Sequence, residues 1–321
     1  MDTYLLLKAI GFFLLVIVGI PGNIFIILQF TYIKSIEKTI LPTNKILSVL
    51  ALANVLVIFS RIIPQSLNAI GVEDLLDDTE CKFVIYTYRV SRAMSICVTS
   101  FLSCHQCILI APTTRVWLYL KRRVTQNVIG VIIILSIINF SMYPYSYLRT
   151  HVKKNITTSP YTLHLIYCDV DFLTYTAYII NGTFHAIRDF IFVGLMTLAS
   201  SYMVFILLRH EKNVKAIRSS NKEQKWSAEY KASRSVILLV ILYVLLFGLD
   251  NSMWVYTLTL SNVSSDMSDI RVFLASSYAA LSPILIILTN PKLHRLWMLS
   301  NKNKPFQKHM GSSVTVYNVS V

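Results

Sequence analysis

Seven stretches of this chain each run for about 20 residues or more with few charges, the length an α-helix needs to cross a bilayer, and no other feature constrains the fold as much. The spans are expected at residues 5–30, 46–70, 81–111, 128–148, 185–208, 236–260 and 270–289. Each is too long and too uniformly apolar for a strand of an outer-membrane barrel, whose segments are about 10 residues of alternating polarity. Helices satisfy their backbone groups internally where there is no water. The expected fold is therefore an all-α membrane protein, a seven-transmembrane helix bundle. Composition supports this, because 55% hydrophobic and 14% charged residues cannot cover the surface of a soluble chain of 321 residues. The first stretch exceeds the roughly 7 to 15 apolar residues of a secretion signal and lacks a clear small-residue cleavage site, so it counts as helix one.

A net charge of +14 invites a nucleic-acid reading, and the placement of the charges decides against it. Of 30 Lys and Arg, 20 fall in alternate connections: three after helix one, four after helix three, eight after helix five and five in the tail. The opposite connections hold only Lys82, Arg149, Lys153 and Lys154, together with acids such as Glu73, Asp77, Glu80 and Asp169. Basic loops stay in the cytoplasm. This orients the chain with its N-terminus extracellular and its C-terminus cytoplasmic, and the expected partners include membrane lipids and no nucleic acid. With about four residues before helix one, any ligand must enter the bundle or sit at its mouth. Residues 1–300 are expected to form one domain that includes a short amphipathic helix near 291–299, in which Leu293, Leu296 and Trp297 share a face on the inner leaflet. Residues 301–321 would be a cytoplasmic tail.

Of five cysteines, only Cys81 and Cys168 fall on the outer side, where a thiol pair can oxidise. A bridge between them would pin the second outer loop across the bundle mouth; the alternative is two unpaired thiols. Asn155-Ile-Thr157 is the best-placed glycosylation triplet. Asn181 and Asn262 lie close to helix ends.

Ionisable groups inside a membrane are functional candidates by default, since each costs at least about 2.5 kcal/mol at a helix centre. The outer half of the bundle holds Arg61, Arg89, Arg92, Arg188 and Arg271 against Asp189 and Asp250. Arg89 and Arg92 are three residues apart and share a helix face. Two readings stay open. The arginines line a cavity for a small organic molecule, such as a carboxylate or sulfate, held by Tyr88, Arg89, Arg92, Arg61 and Asp250; or Asp250, Asp189 and the acidic first outer loop neutralise them. Pro64, Pro144 and Pro283 are expected to kink helices two, four and seven.

Gly22-Asn23, Leu50-Ala51-Leu52-Ala53 and the Cys81 and Cys168 pair resemble a G-protein-coupled receptor. Departures narrow the resemblance. Asn54 stands where rhodopsin-like receptors carry an Asp, His105-Gln106-Cys107 replaces their Asp-Arg-Tyr, and helix seven lacks their Asn-Pro-x-x-Tyr. Ser60-Arg61-Ile62-Ile63-Pro64-Gln65, Tyr88-Arg89-Val90-Ser91-Arg92, Phe101-Leu102-Ser103, Ile110-Ala111-Pro112, Leu249-Asp250 and Ser282-Pro283 are similar to the corresponding stretches of vomeronasal type-1 (pheromone) receptors and the related fish olfactory receptors. That resemblance implies a plasma-membrane receptor of sensory neurons that binds a small-molecule pheromone or odorant. It also implies activation of a heterotrimeric G protein, of the inhibitory class, by a face including Gln106, Lys121, Arg122, Arg123 and Arg209.

The nearest rival is a bitter-taste-type receptor, a family that generally lacks the outer disulfide. A ligand-gated channel or transporter is a more distant one, and insect odour channels have the opposite orientation. The seven histidines are scattered and form no metal-binding motif, so neither a catalytic site nor a cofactor is expected.

Overall fold

The computed structural model describes residues 3–37, 40–72, 75–112, 114–152, 162–164, 167–217, 228–259, 265–290, 293–294 and 296–297. Six helices are each long and apolar enough to span a bilayer. They comprise α1 (Thr3–Glu37), α2 and α3 as one interrupted span (Pro42–Val57 and Ile63–Ala69), α4 (Asp78–Ile110), α8 (Tyr175–Ile217), α9 (Ala228–Thr259) and α10 (Ser265–Thr289). Between α4 and α8 lie α5 (Arg115–Gln126), α6 (Val128–Ser141) and α7 (Pro144–Leu148). The pair α5 and α6, bent by 67°, supplies the seventh crossing when taken as one span. Most of the apolar length is in α6, because α5 carries Arg115, Lys121, Arg122 and Arg123.

Local sequence explains the breaks. Proline has no N–H, and its ring clashes with the carbonyl four residues back. Before Pro64 the helix widens into a π turn, Ile58–Ile62, in which the amide of Ile63 reaches Ile58 O. The extra residue accommodates the proline and puts Arg61 on the widened turn. Pro144 starts α7 after the chain leaves α6 at Ser141, so the expected fourth span of 128–148 is broken rather than merely kinked. At the end of α3, Gly71 takes φ +87°. The amides of Gly71 and Val72 bond back to Asn68 O and Leu67 O, which closes the helix as a left-handed residue allows. α4 opens on a capping box, Asp77 accepting from the Glu80 amide and Glu80 from the Asp77 amide.

Three features differ from the sequence reading. The fifth span begins at Tyr175, ten residues before the expected 185, so Arg188 and Asp189 lie well inside it rather than opening it. The basic stretch after helix three folds as α5. The loop before α8 contains a three-stranded antiparallel sheet of β1 (Thr150–Val152), β2 (Thr162–His164) and β3 (Cys168–Asp171) in the order β1-β3-β2, where period-two patterning is too short to read.

α4 is the axis of the bundle: 67% of its apolar window is buried, against 22% for α8. Ile26, Leu50, Ile96, Leu102, Met196, Met203, Leu239 and Ile286 meet inside. Leu7, Ile17, Leu198 and Leu288 are among the large apolar side chains left on the outside. Such a surface would aggregate in water and suits lipid. Helices pack closest where small residues face each other. A Cβ on Gly19 would lie 2.9 Å from the backbone of Ala280, and one on Gly22 would lie 3.0 Å from Pro283, so α1 and α10 are in near-backbone contact.

Candidate ligand site and family

At one end of the bundle Cys81, the first buried residue of α4, forms a disulfide with Cys168 of β3, at a Cα–Cα distance of 5.7 Å. Around it Ile85, Tyr167, Val170 and Phe172 make a small core separate from that of the bundle. The Tyr167 hydroxyl donates to Val72 O (2.7 Å) and the Val152 amide to Asp78 Oδ1 (2.7 Å). The sheet is thereby tied down over this end of the helices.

The intramembrane charges gather beneath it in three groups. In the first, Arg92 on α4 donates from Nη2 to Asp250 Oδ2 on α9 at 3.2 Å, and from Nη1 to the Tyr88 hydroxyl at 3.4 Å. Arg271 on α10 approaches the other Asp250 oxygen at 3.7 Å. One buried carboxylate thus holds three helices together. In the second, Arg188 donates to its neighbour Asp189 at 2.6 Å and 2.9 Å and to the Tyr143 hydroxyl, and its guanidinium lies over the Tyr143 ring. Tyr143 also stacks on His185, with ring centroids 4.6 Å apart. In the third, Lys8 on α1 meets Asp269 on α10 at 2.5 Å, and the Gln65 amide donates to the same carboxylate at 2.5 Å.

Of the two open readings of the arginines, neutralisation describes two of them. Arg92 and Arg188 are neutralised by Asp250 and Asp189. Arg89, half-buried on α4, has no carboxylate partner among the described residues, while the Arg61 guanidinium lies over the Tyr88 ring, 5.5 Å from its centroid, and is attracted to Asp269 without pairing with it. Lys8, Gln65, Tyr143 and His185 escaped the sequence reading. Lys8 and His185 could have been found by the same rule that found the arginines, because each is an ionisable residue within an apolar span.

A buried polar column continues from here into the bundle. Tyr243, two turns before Asp250 on α9, packs edge-on against Tyr278 of α10 at 4.8 Å. The Tyr278 hydroxyl is 2.9 Å from Thr99 Oγ1. One turn nearer the disulfide end of α4, Ser95 donates to Asn54 Oδ1 and Asn54 to Ser282 Oγ, both at 2.9 Å. Asn54 is thus satisfied by neutral groups at the position where rhodopsin-like receptors carry an Asp.

The model of the vomeronasal organ pheromone receptor family matches residues 7–299. The chain belongs to that family. It is similar to olfactory receptor class A-like protein 1 of Danio rerio, 37% identical over 314 residues that cover 98% of each chain. It is also similar to vomeronasal type-1 receptor 3 of Homo sapiens, 30% identical over 291 residues, 90% of this chain and 93% of that one. Vomeronasal type-1 receptor 90 of Rattus norvegicus is 28% identical over 287 residues, with coverage of 88% and 91%. As a member of this family the chain is a multi-pass chemosensory receptor of the seven-helix class and not an enzyme.

At the end of this pheromone-family receptor away from the disulfide, the residues expected to face a G protein separate into two kinds. Arg122, Arg123 and Arg209 are exposed. Gln106 is 1% exposed and donates to Thr43 Oγ1 of α2 at 2.9 Å. Lys121 is half-buried and donates to Ala111 O at 2.9 Å, so it caps the C-terminus of α4 and clamps α5 beneath it. Leu293 is fully buried and Trp297 packs edge-on against Phe25 at 5.0 Å, which holds this part of the chain against α1. Asn155 lies outside the described residues, and Asn181 lies within α8. Among the described residues no three His, Cys, Asp or Glu side chains are placed to share a metal.

Proposed function

We propose that this receptor binds a small organic pheromone or odorant with an anionic group, within the helices at the disulfide end, and activates a heterotrimeric G protein of the inhibitory class at the opposite end. The observation that carries the reading is the contrast between Arg89, which lacks a carboxylate, and its neighbours Arg92 and Arg188, which have one each. A guanidinium in a low-dielectric site without a counter-charge attracts one, and two parallel N–H donors suit a carboxylate or sulfate. Tyr88, Arg61 and Asp250 complete the proposed contacts, with the disulfide end extracellular as the basic loops require.

A ligand shifts a two-state equilibrium only through its difference in affinity for the two states. Arg92, Asp250 and Arg271 join α4, α9 and α10, so an acid that competes for Arg92 would loosen α9 from α4. The altered packing would reach the Gln106 end through Tyr243, Tyr278 and Thr99. There the exposed Arg122, Arg123 and Arg209 would meet the G protein, with residues 291–299 as an amphipathic helix on the inner leaflet and residues 301–321 as a cytoplasmic tail.

The test is expression with a promiscuous G protein and a calcium readout against small acids, amines and steroids. Arg89→Gln is expected to abolish responses to acids while the receptor still reaches the cell surface. An unchanged response from a receptor with reduced surface abundance would make Arg89 a structural residue and overturn the pocket assignment.

A further inference from the structure

Arg61 rides on the π turn, and its Nε is buried with no hydrogen-bond partner. Beside it lies a small cavity of about 20 Å³, room for one water-sized species, lined by Ser60, Arg61, Gln65, Ile85, Tyr167 and Cys168 among other residues. Tyr88, Arg89, Arg92 and Asp250 do not line it, so of the proposed pheromone contacts this space shares Arg61 alone. Gln65 is 1% exposed and leaves its Oε1 unpartnered while its amide nitrogen is spent on Asp269.

The charges around the cavity do not balance. A guanidinium keeps its proton at any physiological pH. Of the nearby carboxylates, Asp269 attracts Arg61 but is shared with Lys8 and Gln65, and Asp250 is shared by Arg92 and Arg271, so cations outnumber carboxylates here. The face of Tyr88 offsets only part of the cost of burying the cation. Ser60 has spent its hydroxyl on Leu56 O at 2.5 Å, and Pro64, Leu76, Val84 and Ile85 make the remaining wall apolar.

We infer that this cavity is a binding site for a small monovalent anion, held by Arg61 between the π turn, α4 and the disulfide-tethered strand. A space of this size takes a monatomic ion such as chloride and excludes an organic carboxylate. The bound ion joins α3 and α4 to Cys168, so it stabilises the capped end of the bundle. The site does not depend on which molecule activates the receptor, and its absence would leave the chemosensory reading intact.

The test is thermal unfolding of the purified full chain in nanodiscs, with sodium gluconate, chloride or acetate at constant ionic strength. Chloride is expected to raise the midpoint saturably above that in gluconate and acetate. Arg61→Gln should lose the increment and Arg89→Gln should keep it. Equal midpoints in all three salts, an acetate increment as large as the chloride one, or an undiminished increment in Arg61→Gln, would overturn the site. Should Arg61→Gln not fold, crystals grown in bromide decide by anomalous scattering. Bromide within hydrogen-bonding distance of Arg61 supports the site, and its absence there overturns it.

Discussion

Arg92 on α4 and Asp250 on α9 lie 158 residues apart in sequence and meet at 3.2 Å inside the bundle. Removing one partner of a buried pair costs about 3 to 5 kcal/mol, because the other charge is left uncompensated. The lower end applies here, as the Arg92 side chain is 31% exposed. Arg92→Ala and Asp250→Asn should each reduce surface abundance, and the exchange Arg92→Asp with Asp250→Arg should recover part of it. Surface immunolabelling of the two single variants and the exchange checks this, and recovery no greater than in the worse single variant would rule the pair out as a structural tie.

The bridge between Cys81 and Cys168 closes a sequence separation of 87 residues. The chain-entropy model gives about 4 kcal/mol for a loop of that size. Cys81→Ala and Cys168→Ala should lower the unfolding midpoint equally, and the double variant should be no worse than either. Additive losses would show that the two thiols act separately.

Substituting Gly19 tests how closely α1 and α10 approach. A methyl there meets Ala280 backbone at 2.9 Å and Ile58 at 2.6 Å, whereas one on Gly194 or Gly248 meets nothing within 4 Å. Gly19→Ala is expected to cost about 1 to 3 kcal/mol through overpacking. Gly194→Ala and Gly248→Ala should be neutral or slightly stabilising, since alanine is the better helix former. Unfolding of the three variants in one detergent compares them directly.

Gln106 and Thr43 form a part-buried hydrogen bond between α4 and α2 at the end away from the disulfide. A net hydrogen bond of about 1 kcal/mol corresponds to a factor of about 5 in an equilibrium. If the bond belongs to the resting packing, Gln106→Ala and Thr43→Val should each raise the ligand-free signal per surface receptor about fivefold. The ratio of basal calcium signal to surface label measures it, and an unchanged ratio in both variants would remove the bond from the resting balance.

The sequence by itself determined the number and approximate place of the spans, because the bilayer imposes one length and one composition on every crossing segment. It also marked Cys81 and Cys168, and Arg61, Arg89, Arg92 and Asp250, since a charge in an apolar run is conspicuous whatever surrounds it. Only the tertiary structure decided which arginine is neutralised. Arg89 and Arg92 read alike along the helix, and their difference arises from Asp250 lying 158 residues away. The same holds for Lys121, whose basic character suggested a partner protein while its ammonium group caps α4. The π turn before Pro64 and the short sheet over the mouth were equally hidden, because a proline marks a break without fixing its form, and the sheet joins strands too short to show a local period.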